Sequence, residues 1–255
     1  MEELAEESRY CLDSDSIEAL RECSLSGEGV VEVNVGGLRY RIPCWHLPEA
    51  WANLLHVTCS RDYEKLPGFT PHKGWVVMDA GAYIGFYTVY AALRVGREGL
   101  VVAIEPLGVN RAFLEENIVV NGFEDRVRVD PRALSDKRSV ALLHVSCYPA
   151  TSSLFQDHIL RHGEVCGSKR VVTVPLDQLI QDHGLERVDL LKLDIEGAER
   201  LVLGSRGWDR YVERLVVEVH TDVVEVAEII KLLEERGYRV RQYKIGDFQH
   251  VVYAW

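Results

Sequence analysis

Residues Val76 to Tyr90 read VVMDAGAYIGFYTVY. The apolar run at the start predicts a buried strand, Gly81 and Gly85 a tight turn, and Phe86 onward a helix. A strand that turns through glycines into a helix presents backbone N–H groups at the helix N-terminus, a geometry suited to nucleotides.

Outward from this stretch, apolar runs alternate with helical periodicity. LVVAIEP is a strand and GVNRAFLEENIVVNG a helix, RVRVDPRAL a third strand, VDLLKLDIEG a fourth, AERLVLGS a helix, RLVVEVH a fifth strand and DVVEVAEIIKLLEERG a helix. This order predicts an α/β, doubly wound, mostly parallel sheet of seven strands with helices on both faces. The ending, YRVRQYKIGDFQHVVYAW, reads as two strands joined at Gly246-Asp247, so the last strand returns antiparallel. Upstream, residues 1 to about 22 read as helical, GVVEVNVGGLRYRIP as a hairpin turning at Gly36-Gly37, and LPEAWANLLH as a short helix. The Pro/Gly-rich KLPGFTPHKG divides the chain into a 1–71 helix and hairpin appendage and a 72–255 main domain.

The glycine loop fits dinucleotides poorly. With the last glycine of G-x-G-x-x-G placed on Gly85, Ala80 and Ala82 occupy the other two glycine positions, against NAD or FAD. Asp79 at the strand end would repel a pyrophosphate but suits an ammonium or a sulfonium. S-adenosylmethionine carries both, and its carboxylate can still use the amides near Gly85. Glu105, at the end of the second strand, is placed to accept hydrogen bonds from ribose hydroxyls.

Three segments, DAGAYIGFYT, AIEPLGVNRAFLEENIVVNG and LLKLDIEGAE, are similar in order and spacing to the motifs of the FkbM-type S-adenosylmethionine-dependent methyltransferases, over roughly residues 75 to 220. The resemblance implies a class I methyltransferase fold with S-adenosylmethionine as cofactor, and O-methylation of a hydroxyl. It implicates Asp79, Gly81, Ala82, Tyr83, Gly85, Glu105 and Pro106 in cofactor binding, with Ala133 and Leu134 at the adenine pocket.

Methylating an alcohol requires alignment of donor and acceptor and a base for the departing proton. Ligands in such sheets lie beyond the carboxyl ends of the strands, so Asp194 is placed at the edge of the methyl-transfer site, touching the cofactor, with Glu196 and His220 as bases. Lys192 is read as pointing with Asp194 and lowering its pKa. The other reading open for Asp194 is an N-cap of the helix after Gly197, with Glu196 favouring its dipole. The insertion VSCYPATSSLFQDHILRHGEVCGSKR is read as selecting the substrate. Within it His158, His162 and Cys166 stand four apart, but Gly163 weakens the helix, so they are read as structural and no metal is assigned.

The formal net charge of -11 argues against nucleic acid as a partner. A small-molecule or glycan acceptor is expected, with a lipid headgroup or a peptide side chain also open. An RNA (tRNA) methyltransferase and a nucleoside-binding module without catalysis remain as alternatives. The acidic N-terminus lacks a signal-peptide pattern and no apolar run is long enough to span a membrane. Six cysteines without a C-x-x-C pair signal neither a zinc ribbon nor a redox dithiol, and most of them read as small buried thiols. Together these predict a cytoplasmic protein. The N-terminal hairpin either covers the active site or builds a homodimer contact.

Overall fold

A computed structural model of the protein describes residues 2–246 and 249–255. At the N-terminus α1 (Glu2–Ser8) and α2 (Ser14–Ser26) replace a single helix. The break falls where Asp13 caps α2 by accepting the Ser16 N–H at 2.7 Å. Strands β1 (Val30–Val35) and β2 (Leu38–Pro43) form the hairpin, with Gly36 and Gly37 both at positive φ (59° and 86°), the two-residue turn whose twist matches the strands. After α3 (Leu47–Leu54) come a π-turn over Leu55–Cys59 and a 3-10 turn over Asp62–Glu64.

The main sheet begins with β3 (Val76–Ala80), α4 (Phe86–Val95), β4 (Leu100–Ile104), α5 (Gly108–Val120) and β5 (Val127–Asp130). The predicted third strand then divides: Ala133–Leu134 is β6, which leaves for a second sheet with β7 (Ser139–Ser146) and β8 (Val165–Val174). Between β7 and β8 lies α6 (Gln156–His162), so the segment read as an insertion is the connection of an antiparallel pair together with the first half of its second strand. The chain continues through α7 (Leu176–Asp182), β9 (Leu190–Leu193), α8 (Glu199–Gly204), β10 (Leu215–His220), α9 (Val226–Glu234), β11 (Val240–Lys244) and β12 (Gln249–Ala254).

The seven-stranded sheet has the order β11-β12-β10-β9-β3-β4-β5. Only β12 runs antiparallel to its neighbours, as the terminal hairpin predicts; Asp247 of its turn lies outside the described residues. Side chains alternate between the faces. Val77, Val101 and Ala103 join α4, α5 and the N-terminal elements in one core, and Met78, Val102 and Ile104 join α7, α8 and α9 in the other. Tyr40 of β2 and Trp51 of α3 belong to the first core, and the Tyr40 ring meets Phe86 edge-on at 5.4 Å. The hairpin lies on α5, where Asn117 and Asn121 bond the backbone of Arg41 and Arg39, and away from the strand ends.

The cysteines correct the sequence reading. All six pair, as Cys11–Cys59, Cys23–Cys44 and Cys147–Cys166. Spacing along the chain could not reveal this, because each pair meets only through tertiary packing, with Cα separations of 5.6, 5.1 and 4.9 Å. Closing loops of this length stabilises the fold by about 3–4 kcal/mol per bridge on the chain-entropy model. Alkylation under denaturing conditions without reductant, read by intact mass, is expected to add no label. Six labels would show that the pairs do not form. No helix among the described residues is long and apolar enough to cross a membrane.

Candidate active site

The loop after β3 can only be built with glycine at two places. A β-carbon on Gly81 (φ 77°) would collide with the Asp194 carbonyl, and one on Gly85 (φ 94°) would stand 2.6 Å from Leu114 Cδ1. Between them Tyr83 takes a left-handed conformation at φ 51°. Glu105, after β4, anchors this loop: its Oε2 accepts the Tyr83 N–H at 2.9 Å and its Oε1 the Leu107 N–H at 2.8 Å. Burial pushes the Glu105 carboxyl up to about 7, against the pull of the Leu107 and Tyr83 amides.

Asp79 does not reach the ligand side of this loop. It is fully buried, accepts the Thr88 hydroxyl at 2.6 Å and faces Lys192 Nζ at 3.3 Å. The reason is strand register: Asp79 on β3 stands directly beside Lys192 on β9. Lys192 in turn donates to the Gly81 carbonyl at 2.8 Å and lies 3.4 Å from Asp194 Oδ2. Burial alone would lower the Lys192 pKa, but the carboxylates of Asp79, Asp194 and Glu218 outweigh it and hold the ammonium charged. Lys192 therefore joins the glycine loop to the end of β9 from beneath.

Lys192 and Asp194 do point together, but the expected pKa direction is reversed. Burial, followed by the Glu218 carboxylate, raises Asp194 to about 7, and Lys192 only limits the rise. Asp194 does not cap α8, whose N-cap is Ala198. The turn Ile195–Gly197 is held instead by the buried Glu199, whose Oε1 accepts the Ile195 N–H at 2.9 Å and the Gly197 N–H at 3.3 Å. Glu196, at φ 54°, is fixed from the β7–β8 hairpin: His158 Nε2 lies 2.7 Å from its carboxylate, and Ser153 Oγ donates to its carbonyl at 2.6 Å. His158 also faces Asp222 at 3.1 Å, Cys166 is disulfide-bonded, and the side chain of His162 lies outside the described residues. Of the candidate metal spacing in this segment, His158 and Cys166 are thus taken up by other bonds.

His220 is buried at the end of β10. Burial would lower its pKa, but Glu196, Glu199, Glu218 and Asp194 around it push it up to about 10, a direction that favours the imidazolium over a free base. Asp194, Glu196 and His220 offer atoms within 4.8 Å of one another, close enough for a shared metal ion. Lys192 beside Asp194 and His158 on Glu196 already neutralise this group, and we read it as an ion-pair network.

Beyond the strand ends lies a cleft with about 870 Å³ of empty space, open to solvent. Gly81, Ala82, Tyr83, Glu105, Pro106, Ala133, Leu134, Lys192, Asp194 and Glu196 line it, whereas Asp79, Gly85 and His220 do not. Sequence reasoning missed much of the remaining wall: Asn53, Val57 and Tyr63 from the N-terminal segment, Tyr87 and Asn110 from α4 and α5, Leu143 from β7, and Pro149 and Leu154 from the β7–β8 connection. Asn110 had a signal, since it lies in the first turn of the helix, five residues after Glu105; Tyr63 had none. Four side-chain oxygens of this wall, Tyr83 Oη, Tyr87 Oη, Asn110 Oδ1 and Asp194 Oδ1, are buried without a hydrogen-bond partner. Such groups are costly unless a polar ligand satisfies them.

The comparison with known proteins agrees with this geometry. The "Methyltransferase FkbM domain" family matches residues 79–240. The 31-O-demethyl-FK506 methyltransferase FkbM of Streptomyces tacrolimicus is 29% identical over 204 residues, covering 68% of this chain and 76% of its own. Methyltransferase sdnD of Sordaria araneosa is 28% identical over 192 residues, covering 64% and 73%. Among solved structures, M. jannaschii TYW2 in complex with AdoMet shares the fold at TM-score 0.50 and 16% identity, covering 89% of this chain and 85% of that one. With its class I strand order and a family match spanning β3 to the start of β11, the chain belongs to the FkbM family of S-adenosylmethionine-dependent methyltransferases.

Proposed function

We propose that the protein transfers the methyl group of S-adenosylmethionine to a hydroxyl oxygen of a small molecule or glycan. The observation that carries this reading is the position of Asp194. It lines the same cleft as Glu105 and the glycine loop, its pKa is raised to about 7, and its Oδ1 is free to accept a proton. A carboxylate poised near neutrality is a base suited to taking the proton of an alcohol acceptor. The Streptomyces relative, named for an O-methyl transfer, supports the same acceptor chemistry.

The residues present suit the cofactor. Glu105 has remaining lone pairs for ribose hydroxyls, Ala133 and Leu134 offer apolar contact to the adenine, and the unpartnered oxygens of Tyr83, Tyr87 and Asn110 can accept or donate at its polar groups. The bound cofactor supplies an electrophilic methyl on a cationic sulfur. The chain aligns the acceptor, excludes water and receives the proton at Asp194. The apolar wall of Val57, Leu143, Pro149 and Leu154 suits an acceptor with a hydrophobic body.

Calorimetric titration with S-adenosylhomocysteine tests the cofactor half. Glu105→Gln is expected to weaken binding at least tenfold, about 1.4 kcal/mol, because one carboxylate both holds the loop and meets the ribose. Unchanged affinity would show that the nucleoside lies elsewhere. Mass analysis of trideuteromethyl transfer to a panel of polyhydroxylated macrolactones, methyl glycosides and phenols tests the acceptor half, and label found only on nitrogen would overturn it. The three disulfides favour an oxidising compartment over the cytoplasm as the place of work.

A further inference from the structure

Tyr63 comes from outside the residues matched by the family, on the 3-10 turn after Cys59, and is 2% exposed. Its phenolic oxygen lies 2.7 Å from Glu218 Oε2 and 3.1 Å from Asp194 Oδ2. A phenol has one proton, so it can donate to only one of these carboxylates at a time. Both oxygens are within bonding distance without any heavy atom moving, so a rotation of the hydroxyl hydrogen exchanges one bond for the other.

Which carboxylate holds that proton depends on what else each one has. Glu218 has a second partner: His56 Nε2 stands 3.2 Å away, and His56 Nδ1 is 2.6 Å from Asp62, which also pairs with Lys65. Asp194 faces Lys192 on its own strand, Glu196 on the following turn, and Glu218 and His220 on β10; Lys192 is shared with Asp79. Tyr63 Oη is the one hydroxyl donor to the Asp194 carboxylate among the described residues.

We propose that Tyr63 is a positioning residue that donates to Asp194 when that carboxylate is ionised and turns to Glu218 when Asp194 takes up the acceptor's proton. The N-terminal segment thereby governs the protonation of a base that belongs to the methyltransferase sheet. In the step itself the acceptor oxygen forms a bond to the methyl carbon and the carbon–sulfur bond breaks with its electrons staying on sulfur. The acceptor proton passes to Asp194 Oδ1, while the Tyr63 hydroxyl leaves Oδ2 for Glu218. His56 keeps Glu218 ionised to receive it. Burial would lower the His56 pKa, but Asp62 and Glu218 push it up to about 10, consistent with that role.

This inference rests on Asp194 as the proton acceptor, but its test needs no acceptor and no turnover, so it fails separately from the proposed reaction. The protein is labelled with 13C at aspartate carboxyl carbons and saturated with S-adenosylhomocysteine. The Asp194 signal is identified as the one missing from Asp194→Asn. Tyr63→Phe keeps the ring against His56 and Tyr87 and removes one oxygen. It is expected to raise the Asp194 titration midpoint by about one unit, a tenfold shift in the proton equilibrium, with S-adenosylhomocysteine affinity within about twofold of wild type, below 0.5 kcal/mol. A midpoint that is unchanged or lowered overturns the proposal. Should the variant lose its fold, a solvent-shielded hydroxyl proton in the wild-type 1H spectrum at low temperature is the second measurement. A nuclear Overhauser contact from it to the Tyr63 ring that shifts as Asp194 titrates upholds the switch, and one that stays fixed through the titration overturns it.

Discussion

Lys192→Met is expected to lower the melting temperature by roughly 10 °C and to abolish detectable S-adenosylhomocysteine binding. Methionine fills the volume of the lysine stem but removes the charge that Asp79 and Asp194 share. Removing one partner of a buried pair leaves its counter-ion uncompensated, at a cost of about 3–5 kcal/mol. For a chain of this size each kcal/mol corresponds to about 2–4 °C. The binding loss has a separate cause, since the Lys192 ammonium also donates to the Gly81 carbonyl and so holds the glycine loop. Differential scanning calorimetry and titration calorimetry read the two effects independently. A variant that melts with wild type would show that the ammonium is not the charge on which this site depends.

Asp194→Asn is expected to cut methyl transfer by about 10²–10⁴-fold, the range ascribed to a positioned general base, while cofactor binding changes little. Wild-type turnover should rise with pH as Asp194 ionises, near 7 in the cofactor-free chain, and the residual rate of the variant should lose that limb. Stability moves in the opposite sense. The folded-state pKa of Asp194 lies above its unfolded value, so its contribution is complete below about pH 4 and is lost as pH rises through 7. Asparagine has no such loss. The melting temperature of the variant relative to wild type should therefore be higher at pH 8 than at pH 5, and the reverse order would contradict a raised Asp194 pKa. His56 and His220, both pushed up to about 10, add to the decline of wild-type stability above neutrality.

The parts legible in the sequence were those written in local patterns. Strands β3, β4, β9 and β10 announce themselves as apolar runs, and the glycine loop, Glu105 and the DIEGAE turn follow at the strand ends where ligands bind. Strands β7 and β8 were not legible as a sheet, because β8 is exposed over most of its first half and carries no apolar alternation there. The error over Asp79 has a similar origin. Its place at a strand end was evident, but its partner Lys192 is 113 residues away in sequence, and only the β3–β9 register makes them neighbours. Electrostatics was least legible of all. The direction of the Asp194 shift is set by burial and then by the Glu218 carboxylate, neither of which leaves a spacing to read.

The Pro/Gly-rich stretch that separates the first 71 residues from the sheet looks like a natural place to cut, and for engineering it is the wrong one. The Cys11–Cys59 bridge ties the segment after α1 to the turn that carries His56 and Val57 and ends at Cys59, four residues before Tyr63. A chimera that joins a foreign leader at residue 72 would keep the whole glycine loop and lose one wall of the cleft, together with the phenol shared by Asp194 and Glu218. Libraries meant to change what is methylated should therefore vary residues 53–63 together with the β7–β8 hairpin, since both line the cleft that the glycine loop and Glu105 also line.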